Sequence, residues 1–160
     1  MRQDSFSFSQ STWLVVLRVL IGWHFLYEGL VKVLNPKWTG FGYLMDSGGF
    51  MPGFFKWIAQ SDTLLTIADL TVQWGLVAIG FFLIIGLFTR VFSIFGIAML
   101  AFFYLSHPPC IDTNYAMPSE GSYLWIDKNL IEIAALAVTY SFRTSMIMGL
   151  DGLFNRRKRY

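Results

Sequence analysis

Apolar residues gather in four stretches, separated by connections that are polar or rich in turn-forming residues. The first runs from Trp13 to Leu34, the second from Leu64 to Phe88, the third from Val91 to Ser106 and the fourth from Tyr123 to Phe142. A helix needs about 20 mostly apolar residues to cross a bilayer. The third stretch is short and must borrow residues at its ends. Lipid offers backbone groups no water, so each span has to satisfy its own hydrogen bonds, and four strands could not close a barrel. The pattern therefore predicts an all-α, polytopic membrane protein. It is a single domain over residues 1–160, folded as a four-helix transmembrane bundle. The first stretch is not expected to be a cleaved signal peptide. Arg18, His24, Glu28 and Lys32 interrupt its apolar core, Asp4 precedes it, and no small-residue cleavage site follows.

Composition agrees. Hydrophobic types make up 55% of the 160 residues and charged types only 14%, against about 25% charged in a soluble domain. That apolar content excludes disorder, and so few charges leave no basic face for nucleic acid. Cys110 is the only cysteine. One thiol excludes an internal disulfide, a CxxC redox pair and a cysteine-rich metal site.

The net charge of +2 matters less than where the charges lie. With four spans, both termini and the tight turn expected at Thr89-Arg90 fall on one side, with Arg2, Arg90, Arg143, Arg156, Arg157, Lys158 and Arg159. The other side holds Lys37 and Lys56, with Lys128 just inside the fourth span. This asymmetry predicts that both termini are cytoplasmic, with the basic tail 156–160 against anionic headgroups. The connection from Asn35 to Asp62 is long and aromatic. It carries Trp38, Phe41, Tyr43, Phe50, Phe54, Phe55 and Trp57. It is expected to lie in the interface or to fold back over the bundle, broken into short pieces at Gly48-Gly49 and Pro52-Gly53. The second outer connection, from His107 to Ser122, contains three prolines and no Lys or Arg.

Ionisable groups within a span cost several kcal/mol and should face protein. At about 100° per residue, Arg18, His24, Glu28 and Lys32 share roughly one third of the circumference of the first helix. Asp69 and Gln73 sit one turn apart on the second helix. Tyr104 and His107 close the third, and Asp127, Lys128, Asn129 and Glu132 open the fourth. All of these except His24 and Arg18 fall in the outer half of the membrane, with His24 near the middle and Arg18 deeper. Two readings follow. The polar groups satisfy one another, Lys32 with Glu28 and Lys128 with Glu132, and tie the helices together. Alternatively they line a pocket that opens outward and contains carboxylates and a histidine able to exchange protons.

Other chemistry is less well served. A bis-histidine haem needs two imidazoles at one depth, yet His24 and His107 lie roughly 18 Å and 25 Å from the inner edge. Lys32, two turns above His24, opposes a cation bound by His24 and Glu28. No flavin or dinucleotide fingerprint and no phosphate-binding glycine loop is present. Gly22, Gly29, Gly75, Gly80, Gly86 and Gly96 are expected to let helices approach closely.

Arg18, Gly22, Phe25, Gly29 and Lys32 in "LRVLIGWHFLYEGLVKVL", "GFFLIIGLFTR" closing at Arg90, and "IDKNLIE" from Ile126 to Glu132 together resemble the DoxX/DoxD family of small four-helix membrane proteins. The resemblance implies a four-helix bundle in the bacterial cytoplasmic membrane. One branch of that family is the membrane subunit of a thiosulfate:quinone oxidoreductase, which works with a separate partner subunit.

Joined to the polar layer, this leads to an integral membrane subunit that binds a quinone or similar lipophilic molecule and supports a redox partner. His24, Glu28 and Glu132 are expected to exchange protons. Arg18, Lys32, Asp69, Gln73, Tyr104, His107, Asp127 and Asn129 would bind the polar head, and Trp23 and Trp74 would pack the ring. The lipid bilayer and either a protein partner or a second copy are the expected associates. A non-catalytic scaffold that works through the aromatic connection is the alternative. A small transporter is less favoured, because four helices leave little room for alternating access.

Overall fold

The computed structural model describes residues 7–109, 115–116, 124–142 and 148–152. Arg2, Cys110, Tyr123, Arg143 and the basic tail 156–160 lie outside the described residues. All regular structure among the described residues is helical: α1 (Phe8–Val33), α2 (Phe41–Met45), α3 (Pro52–Gln60), α4 (Asp62–Ile85), α5 (Thr89–Ser106) and α6 (Lys128–Ser141). Three of these, α1, α4 and α5, are long and apolar enough to cross a membrane.

Local chemistry sets the ends. Ser7 caps α1 in a reciprocal box with Gln10, so the helix starts five residues before Trp13. The second span ends earlier than expected. Gly86 adopts φ +68°, a left-handed conformation that stops α4 at Ile85. The turn is therefore 86–88, and Thr89 and Arg90 form the first turn of α5. The third stretch gains only Thr89 and Arg90. The fourth helix is shorter than predicted. Asp127 accepts a hydrogen bond from the Leu130 amide and starts α6 at Lys128, leaving 14 helical residues and a length of about 21 Å.

The four longer helices pack in the cyclic order α1, α4, α5, α6, with α6 returning against α1. Ile21, Phe25, Leu76, Ile79, Leu83, Leu100 and Leu136 form their common core. Glycine decides how closely α1 and α4 approach. A Cβ at Gly80 would lie 2.3 Å from the Leu26 amide nitrogen, and one at Gly29 would lie 2.6 Å from that of Val77. Between α5 and α6, the Ser93 and Thr139 hydroxyls meet at 3.1 Å in a fully buried contact. A neutral hydrogen bond of this kind stabilises by about 1 kcal/mol.

The 35–61 connection breaks at Gly48-Gly49, whereas Pro52 and Gly53 do not break it but open α3. Its α2 end lies over the end of α5, where the Gly49 amide donates to the Ser106 carbonyl (3.0 Å) and the Phe50 amide to that of Leu105 (3.1 Å). Ser47 Oγ adds a buried hydrogen bond to the Ser106 carbonyl at 3.0 Å. Residues 33, 62, 106 and 128 share this far end of the bundle. The start of α1, the α4–α5 turn and the end of α6 share the near end.

Candidate functional site

α1 and α6 meet through charge. His24 Nδ1 pairs directly with Glu132 Oε1 across the two helices, and Glu132 Oε2 is buried without a hydrogen bond. With Nδ1 engaged, Nε2 is the His24 nitrogen left for a ligand. The antiparallel run of α6 carries Lys128 one turn toward the far end, as Glu28 lies one turn beyond His24, about 6 Å in each case. Lys128 acts electrostatically on both His24 and Glu28. Lys32 Nζ donates to Glu28 Oε2 and to the Glu28 carbonyl, and lies 5.9 Å from the Trp38 ring centre. The seam is open sideways: the side chains of His24 and Glu28 are 38% and 44% exposed. Helix spacing explains this position. His24 and Glu28 flank the packed face of Gly22, Phe25 and Gly29 and share the edge nearest α6.

The remaining predicted site residues do not join this seam. Asp69 Oδ1 accepts from the Gly40 amide at 2.8 Å, tying α4 to the chain just before α2, and Gln73 stands half-buried one turn below. Asp127 is the α6 cap and accepts from Asn129 Nδ2 at 2.7 Å. The Tyr104 hydroxyl donates to the Trp125 carbonyl at 2.8 Å. His107 caps the end of α5. Its ring stacks on Tyr43 (4.1 Å between centres) and lies 4.6 Å from that of Tyr115, while Nδ1 meets Ser106 Oγ at 3.0 Å. Nε2 faces Asp46 Oδ2 at 3.8 Å. Burial pushes the His107 imidazole below its ordinary value, with Asp46 opposing the shift. Burial also holds the Tyr43 phenol well above the usual tyrosine range.

Three expectations are corrected here. Among the described residues, polar groups from four helices do not converge in one outward-opening pocket. Their hydrogen bonds fall at the α1–α6 seam, at the Asp69 tie, at the α6 N-cap, between Tyr104 and Trp125, and in the cap over α5, and the 35–61 connection supplies partners at the Asp69 tie and over α5. Arg18 is not part of a ligand layer. It is fully buried at the near end, where Nη2 donates to the Met148 carbonyl at 2.6 Å, with Asp151 nearby. Trp23 and Trp74 do not wall a cavity either: they are 59% and 57% exposed on the outer faces of α1 and α4. A surface groove of about 390 Å³ lies at the near end, lined by Ser9, Gln10, Trp13, Leu14, Leu17 and Phe142. None of the predicted site residues lines it.

The sequence did not mark Lys128 or Asp46 as site residues, and it offered Tyr43 only as one of the aromatics of the long connection. The spacing of Lys128 with Glu132, one turn apart, was the available signal for the first. Nothing local marks Asp46 or Tyr43, which reach His107 only through tertiary packing. No group of three or more metal-binding side chains occurs among the described residues.

The geometry defines a helical protein with three helices able to cross a bilayer and a charged seam open to the side. The chain matches no protein-family model, no curated protein and no solved structure.

Proposed function

We propose that α1, α4, α5 and α6 form a four-helix transmembrane bundle in the bacterial cytoplasmic membrane, with both termini cytoplasmic. On this reading the α1–α6 seam binds a quinone or similar lipophilic molecule on behalf of a redox partner. The observation that carries the reading is the His24–Glu132 pair, reachable from the side at the level where acyl chains run. A molecule dissolved in the bilayer enters such a seam without crossing water. A carbonyl would accept from His24 Nε2, and a hydroxyl would donate to the buried Glu132 Oε2. Lys32 and Lys128 favour a developing negative charge nearby. Electrons come from a separate protein, as in the quinone-linked branch of the DoxX/DoxD family that the helix motifs resemble. The short α6 spans by locally thinning the bilayer.

A second reading rests on the separate sets of hydrogen bonds. If the charges serve only to hold elements together, the protein is a scaffold that presents its far-end cap to a partner. Titrating protein in lipid nanodiscs with a short-chain quinone, read by quenching of tryptophan fluorescence, separates the two. Saturable quenching is expected, weakened about tenfold in His24→Gln and Glu132→Gln, the consequence of losing one hydrogen bond to a buried group. Absence of saturation, or equal affinity in all three proteins, favours the scaffold.

A further inference from the structure

Helix α3 divides into three faces. With Phe54 at zero and about 100° per residue, Phe55, Ile58 and Ala59 fall between roughly 40° and 140°, and Lys56, Gln60 and Gly53 between roughly 160° and 260°. Trp57 falls near roughly −60°, beside Phe54. The first face is core: Phe55 and Ala59 are buried with Leu44 and pack on Ile58 and Leu65. The second face is polar and exposed. On the third, Phe54 is 40% and Trp57 57% exposed, although neither is polar. A helix in water has no use for that face, and a helix buried in protein would cover it.

Continuity says what covers it. Phe54 lies 6.3 Å and Phe55 4.8 Å from the ring of Phe102 on α5. Phe102 is itself 40% exposed and lies on the same helix as the exposed Ile94, Phe95 and Leu105. The apolar exterior of α5, a helix able to cross a membrane, thus runs on into Phe54 and Trp57. Phe102 lies one turn, about 6 Å, inside the end of α5, and Leu65 lies in the first turn of α4. The single extended residue Ser61 turns the chain sharply from α3 into α4.

We infer that α3 is a membrane-surface helix whose partner is the phospholipid of the outer leaflet, an inference that rests on the membrane-spanning reading above. Phe54 and Trp57 lie among the upper acyl chains, with the Trp57 indole at the level of the ester groups. Lys56 and Gln60 face phosphate and water, and Phe55 and Ala59 dock the helix on α4 and α5. The arrangement fixes the depth of the bundle at the side opposite the α1–α6 seam.

Spin labels test this in the full chain. Phe54→Cys, Lys56→Cys, Trp57→Cys, Gln60→Cys and, on α5, Ile94→Cys are each made in a Cys110→Ser background. Each is reconstituted in phosphatidylethanolamine/phosphatidylglycerol vesicles. Labels at 54, 57 and 94 are expected to collide with oxygen in preference to a water-soluble nickel chelate, and the preference reverses at 56 and 60. Nickel access at 54 and 57 equal to that at 56 and 60 would place the face in water and overturn the inference. Protection of 54 and 57 from both reagents would overturn it in favour of a protein cover. Nickel access at 94 as well would remove the membrane-spanning reading and the inference with it.

Discussion

At the scale of single residues, the pairing of His24 with Glu132 is expensive to explain by stability alone. An ion pair taken out of water seldom stabilises more than apolar packing of the same shape. The expected signature is a non-additive cycle. His24→Leu and Glu132→Leu should each lower stability by about 1–3 kcal/mol, since each leaves its former partner unpaired. The double change should recover most of that loss, as read by thermal unfolding in mild detergent. Additive losses would mean that the two side chains do not interact. The ionisable side chains of this seam stood out in the sequence because charges in an apolar stretch demand a reason. Their partners did not: Lys128 looked like the match for Glu132, and only the packing of α1 against α6 brings His24 there instead. Arg18 shows the same limit, since its partner is a backbone carbonyl 130 positions away.

At the scale of elements, the three long helices were legible from apolar length, and the end of α4 only partly. Gly86 was read as a packing residue, and a Cβ there would lie 2.8 Å from Gly149 Cα, but its positive φ also makes it the stop. The aromatic connection was harder. Five-residue α2 and nine-residue α3 are too short for periodicity to declare them, and they hold together because Leu44, Phe55 and Ala59 share a small core with Leu65. His107 gives the cap over α5 a pH dependence. Its folded-state value is depressed below 6.5 by burial, so the neutral ring is the form the folded cap prefers. That stabilisation is present above 6.5 and is lost progressively as pH falls through 6.5 toward the depressed value. The ring faces Tyr43, Asp46, Ser106 and Tyr115; Asp46 is the acidic group among them and limits the loss. The protection factors of the Gly49 and Phe50 amides, which bond the end of α5, should fall on acidification, so that their exchange slows less than the intrinsic rate does. In His107→Gln this fall in protection should vanish; its persistence would assign the effect to another group.

At the scale of the whole molecule, the far and near ends do different work. The near end is a fixed structural joint, with Arg18 buried against Met148 and the Asp151 carboxylate accepting from the Phe88 amide at 3.1 Å. The far end holds the seam, the cap and α3 with its exposed Phe54 and Trp57. Three helices long and apolar enough to cross a membrane were legible from apolar length and composition, and large aromatics such as Trp13, Trp23, Trp74 and Phe95 stand exposed on them. The division of the polar residues among separate places could not be read from depth along each helix, which says nothing of azimuth between helices.

Native mass spectrometry tests the ligand-binding seam most directly. Protein is released from nanodiscs loaded with a menaquinone analogue, and wild type is compared with Glu132→Gln. The account predicts one retained quinone per wild-type chain and its loss from the variant at matched folding. A wild type that retains none, or a variant that retains as much, would contradict it.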